Sequence, residues 1–157
     1  MKLSYMILAE KIILEKDGFS PTAVNITNDL EIYLQDSSGQ AVTNPGHLPF
    51  AYSLLMVWER EDEPGGTYMT RIDILDPSGQ KLQEVEGIPV IFQNEKANRR
   101  FVGRVNFDGF PCVGSGKYSI RAFTEQDTEP SGSWTFNILL RDSNPAGGEL
   151  KNVRLAR

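Results

Sequence analysis

Apolar and polar residues alternate along most of this chain with a period of two. Val24, Ile26, Leu30, Ile32 and Leu34 alternate with Asn25, Thr27, Asp29, Glu31 and Tyr33. Tyr68, Ile72 and Ile74 alternate with Arg71 and Asp73. Phe101, Val105 and Phe107 alternate with Val102, Arg104 and Asn106. Tyr118, Ile120 and Ala122 alternate with Lys117, Ser119 and Arg121, and Trp134, Phe136, Ile138 and Leu140 with Thr135 and Asn137. Successive side chains of a strand point to opposite faces, so each run predicts a strand with one buried face. Two runs are apolar on both faces. FAYSLLMVW, from Phe50 to Trp58, predicts a central strand covered on both sides or lying at an interface. GIPVIF, from Gly87 to Phe92, contains Pro89 and predicts an edge strand or a bulge, because proline lacks the ladder donor. Leu3 to Leu14 suits a short helix or a bent strand. Its Tyr5, Ile7, Ile12 and Ile13 favour the strand.

Turn residues divide these runs at short intervals, as in Lys16-Asp17-Gly18, Asp36-Ser37-Ser38-Gly39, Asn44-Pro45-Gly46, Glu63-Pro64-Gly65-Gly66, Asp76-Pro77-Ser78-Gly79 and Glu129-Pro130-Ser131-Gly132. Proline presets φ at the second turn position, and glycine accepts the positive φ that follows. About eight short strands without a helix predict an all-β, single-domain antiparallel sandwich of seven to nine strands. Residues 1–141 form the expected domain. Residues 142–157 are a C-terminal tail or a last short strand.

The stretch GFPCVGSGKY, residues 109–118, raises a phosphate-loop reading. That pattern fails three times. Pro111 stands where the first glycine belongs, Tyr118 stands where the magnesium-ligating hydroxyl belongs, and KYSIRAF continues as a strand where a helix is required. The same residues fit G-x-Y-x-I, with Gly116 in a turn and Tyr118 pointing inward. This resembles the opening of strand F in immunoglobulin-like sandwiches, where a tyrosine hydroxyl bonds back to nearby backbone. Trp58 resembles the core tryptophan of strand C in such domains. The cysteine expected two residues after the tyrosine is replaced by Ile120. More broadly, Leu8-Ala9-Glu10, Asp17-Gly18, Asp76 to Gly79 and the G-x-Y-x-I stretch resemble a family of small uncharacterised bacterial proteins expected to be immunoglobulin-like sandwiches. That resemblance implies a fold and a bacterial, cytoplasmic origin, and no activity.

Charge and chemistry narrow the function classes. The 157 residues carry a formal net charge of −5, opposite to the basic balance of nucleic-acid binders. Leu3 to Ala9 is too short for a secretory signal, and no run approaches the roughly 18 apolar residues of a membrane span. A single cysteine, Cys112, excludes an intramolecular disulfide and fits a reducing, cytoplasmic setting. His47, the one histidine, lies in the loop NPGHLPF and lacks the companions of a metal site or catalytic pair. No cofactor is expected. Two acidic stretches, Glu59 to Glu63 and Glu125, Asp127 and Glu129, would make a weak calcium site only if they converged. The one basic cluster, Lys96, Arg99, Arg100 and Arg104, is the candidate contact for an anion or a partner. The chain is therefore expected to be a non-catalytic binding or assembly module with a protein partner or itself as ligand. A carbohydrate or small-ligand sandwich is the alternative.

Overall fold

The computed structural model describes residues 1–14, 21–33, 45–61, 64–93 and 99–141. The described residues are strands and turns only, in nine strands: β1 (Lys2–Leu14), β2 (Pro21–Ile26), β3 (Asp29–Tyr33), β4 (Gly46–Glu59), β5 (Gly66–Leu75), β6 (Lys81–Phe92), β7 (Arg100–Cys112), β8 (Gly116–Thr124) and β9 (Gly132–Arg141). They form two sheets, of order β2-β1-β4-β7 and β3-β9-β8-β5-β6. One of the two is curled into a half-barrel. The all-β expectation holds, and the ambiguous first segment is strand throughout. Every described pairing is antiparallel except one: β3 runs parallel to β9, from Asp29↔Asn137 to Tyr33↔Arg141.

β4 carries the two-faced run and lies between β1 and β7. Tyr52 through Trp58 are all buried. Leu48, Tyr52, Leu54, Met56 and Trp58 face the second sheet and enter the main core with Ile72, Ile74, Phe110, Tyr118, Ile120, Phe136 and Ile138. Leu55 and Val57 point the other way, into a smaller cluster with Ala9 and Ile12 that Tyr5, Ile7, Ala23 and Val102 cover. The far end of β1 helps close that outer face, since Arg104 Nη1 on β7 donates to the carbonyl of Ile12 at 2.8 Å. Tyr52 to Trp58 of the FAYSLLMVW run are therefore covered on both faces within the chain.

Two sequence expectations change. Residues 24–33 do not form one strand with one buried face, and Leu34 lies outside the described residues. The backbone breaks at Thr27 and Asn28, where Thr27 N–H bonds to Leu8 O and Asn137 N–H to Asn28 O. The chain passes there from one sheet to the other, so Leu30 and Ile32 are buried while Val24 and Ile26 are exposed. Period alone cannot reveal such a crossing, because the alternation continues through it. Trp58 is fully buried as expected, but on β4. The strand beside Tyr118's β8 is β5, so Trp58 occupies the opposite sheet from the one that pairs strands C and F.

Tyr118 behaves as its motif predicts. It is fully buried. Its hydroxyl donates to Gly114 O at 2.7 Å and accepts from Val113 N–H at 3.0 Å. Burial is the first cause of a phenol pushed up to about 12, with the Cys112 thiol beside it contributing. Gly116 has φ +148°, and a Cβ there would meet Pro77 Cγ at 2.5 Å. Only glycine fits where the 76–80 turn packs on the start of β8. That turn is fixed by Asp76, whose Oδ1 accepts from Ser78 N and Gln80 N, each at 2.8 Å.

Candidate functional site

Strand direction sorts the connections between two ends of the sandwich. Lys2, Glu59 and Arg100 align across β1, β4 and β7. Gly66 pairs with Phe92, and Ala122 with Gly132, in the other sheet. One end therefore gathers the chain start and the β4–β5, β6–β7 and β8–β9 connections. Both acidic stretches open there. Among the described residues, no group of three His, Cys, Asp or Glu side chains could hold a metal ion. Asp62 and Glu63 lie outside the described residues, as do Lys96 and the tail 142–157.

The basic cluster divides between two settings. Arg100 and Arg104 share the outer face of β7, on either side of Val102, opposite Glu59 and Leu55 of β4. Arg100 Nη2 donates to Tyr5 Oη at 3.0 Å, and its guanidinium lies 5.8 Å from the Tyr5 ring centroid. Arg100 is half-buried and Arg104 is exposed. Arg99 is exposed at the start of the strand and helps line a cleft of about 270 Å³ with Lys2, Glu59, Arg60, Glu61 and Arg100.

Arg60 anchors this cleft. It is 6% exposed. Nη2 donates to Gln93 O at 2.9 Å, and the guanidinium stands 5.6 Å from the Phe92 ring centroid. Its backbone N–H donates to Arg99 O at 2.9 Å, joining the end of β4 to the start of β7. In the sequence Arg60 is inconspicuous within the acidic stretch Glu59 to Glu63, and Lys2 stands apart from the basic cluster. The missing signal was the register that sets Lys2 and Arg100 on either side of Glu59.

A second surface lies on the β1–β2 arm. The pairs Lys11↔Val24 and Ile13↔Thr22 put these four side chains on one face, while Ile26 lies opposite Ala9, across the positive-φ Asn25. Ile13, Val24 and Ile26 are 41%, 37% and 49% exposed. The ladder edge of β2 is not inviting. Pro21 lacks a donor, and Asn25 has φ +53° with its amide bonded to Glu10 Oε2 at 2.7 Å. Proline and local kinks are devices that keep edges from adding strands. The edge strand β6 is guarded likewise by Pro89 and by Gly87 at φ +70°.

Among the described residues, most aromatic side chains are buried or half-buried. Tyr52, Trp58, Phe92, Phe107, Phe110, Tyr118, Phe123 and Phe136 are buried. Tyr5, Tyr68, Phe101 and Trp134 are half-buried against the apolar clusters. His47 is exposed on β4, opposite Pro111. Cys112 is fully buried beside Tyr118. No helix among the described residues is long and apolar enough to cross a membrane. A scan against protein-family models finds no match, and a search of curated proteins finds no significant similarity.

Proposed function

We propose that this chain is a non-catalytic protein-binding module built on an immunoglobulin-like sandwich. The fold reading is supported by the order of strands. β4 and β7 pair as strands B and E do, β5, β8 and β9 follow the order C-F-G, and Tyr118 forms the tyrosine corner that opens strand F. β2, the outermost strand of the first sheet, and the parallel β3 are additions to that frame.

The functional reading rests on one observation, the exposed apolar side chains Ile13, Val24 and Ile26 gathered on the β1–β2 arm. Clustered apolar side chains on a soluble surface mark contact sites more often than scattered ones do. Pro21 and Asn25 disfavour edge-to-edge strand addition, so the partner packs on the face of the arm. A photo-crosslinking residue at position 24 tests this, with one at the exposed Gln83 as control. A defined protein adduct from position 24, abolished by Ile26→Asp, is the expected result. Equal adducts from both positions, or none from position 24 together with monomeric sedimentation at every concentration, would overturn the reading.

A further inference from the structure

We infer that the cleft between the β4–β5 and β6–β7 connections is an oxyanion site that takes a carboxylate side chain from an acidic protein segment. Four of its six lining side chains are cationic: Lys2, Arg60, Arg99 and Arg100. The chain as a whole carries −5, so this concentration of positive charge runs against the background.

The cations differ in mobility, and that difference makes a site. Arg60 is buried and held by Gln93 O and the Phe92 ring. Arg100 is held by the Tyr5 hydroxyl and ring. Two fixed guanidinia give a positive floor whose ordering is already complete before a ligand arrives. Lys2 and Arg99 are exposed and make no ion pair or side-chain hydrogen bond among the described residues. They stand at the rim, where a charged segment meets them first. A guanidinium matches a carboxylate through two parallel N–H donors.

The lining also selects among anions. Glu59 and Glu61 share the cleft. Their charges oppose a doubly charged phosphate more strongly than a singly charged carboxylate. A volume of about 270 Å³ accommodates an acidic side chain and falls below the usual range of pockets for larger ligands. The cleft and the apolar arm lie toward opposite ends of β1, so the two surfaces can be tested separately.

The experiment is calorimetric titration of the full chain at low salt with three probes. These are a short Asp/Glu-containing peptide, its Asn/Gln counterpart and inorganic phosphate. The acidic peptide is expected to bind and its amide counterpart not to. Added salt should weaken binding steadily. Arg99→Ala should weaken it about tenfold, with Arg99→Lys restoring part of the loss, and neither change should move the melting temperature because Arg99 is exposed. Failure of the acidic peptide to bind, equal binding of the amide peptide, or unchanged affinity in a Lys2→Ala/Arg99→Ala variant would overturn the proposal. Phosphate binding without peptide binding would also overturn it, by assigning the cleft to a free anion. None of these outcomes depends on Ile13, Val24 or Ile26, so the crosslinking result stands or falls by itself.

Discussion

The two faces of β4 are buried by different means. The inner face meets a second sheet, and Tyr52, Leu54, Met56 and Trp58 are enclosed by side chains from β5, β8 and β9. Among the described residues the outer face has no sheet above it. Leu55 and Val57 are packed with Ala9 and Ile12 of β1 and with Tyr5, Ile7, Ala23 and Val102, and Arg104 of β7 bonds to the carbonyl of Ile12. Sheet-on-sheet burial leaves the lining side chains no other place to go. A mutation should therefore cost more on the inner face than on the outer one for the same loss of apolar volume.

Trp58→Ala makes the largest test. It should destabilise the fold by about 3–5 kcal/mol in denaturant titration, the range for emptying an aromatic core site. Trp58 Nε1 is buried and has no hydrogen-bond partner among the described residues. Trp58→Phe should thus cost clearly less, because it removes the stranded donor along with part of the ring. Leu55→Ala on the outer face should fall near the lower end of the roughly 2–5 kcal/mol range for buried leucine. A Leu55→Ala loss equal to that of Leu54→Ala would show that the arm covers β4 as firmly as the second sheet does.

Alkaline pH separates the faces chemically. Tyr118 and Tyr52, both on the inner side, have phenols pushed up to about 12, in each case mainly by burial. A phenol whose folded pKa is raised keeps its proton more tightly in the folded state. That contribution is complete below the unfolded value near 10 and is lost as pH rises from about 10 toward 12. Stability should therefore hold up to pH 10 and fall steeply beyond it. Tyr118→Phe should flatten the fall, while also costing about 1–3 kcal/mol at neutral pH by leaving Val113 N–H without its acceptor. An unaltered alkaline slope in Tyr118→Phe would remove Tyr118 from this account. Arg104→Ala is the smallest change, at most about 1 kcal/mol, since Arg104 is exposed and contributes one hydrogen bond.

Much of this fold was legible in the sequence because strand faces leave a local imprint. The alternations at Phe101–Phe107 and Tyr118–Ala122, the two-faced β4 and the inward tyrosine all follow from neighbours along the chain. What escaped depends on partners far apart. Nothing near Val24 indicates that β2 and β3 belong to different sheets, because the crossing at Thr27 and Asn28 keeps the alternation intact. The cleft was half legible. Arg99 and Arg100 are conspicuous as a pair, but Lys2 and Arg60 join them only through the pairing of β1 with β4 and the carbonyl of Gln93. Arg104 looked like part of the same cluster and instead bonds to the carbonyl of Ile12.

The parallel pairing of β3 with β9 has a consequence for synthesis. Asn137 Nδ2 bonds to Asp29 Oδ1 across 108 positions. In synthesis, Leu30 and Ile32 emerge long before Ile138 and Leu140, the residues that fix their register. Closing so long a loop is slow relative to local pairing. The nascent chain must therefore carry these two apolar side chains without their β9 partners until residues 137–141 have been made, and the second sheet gains β3 only then.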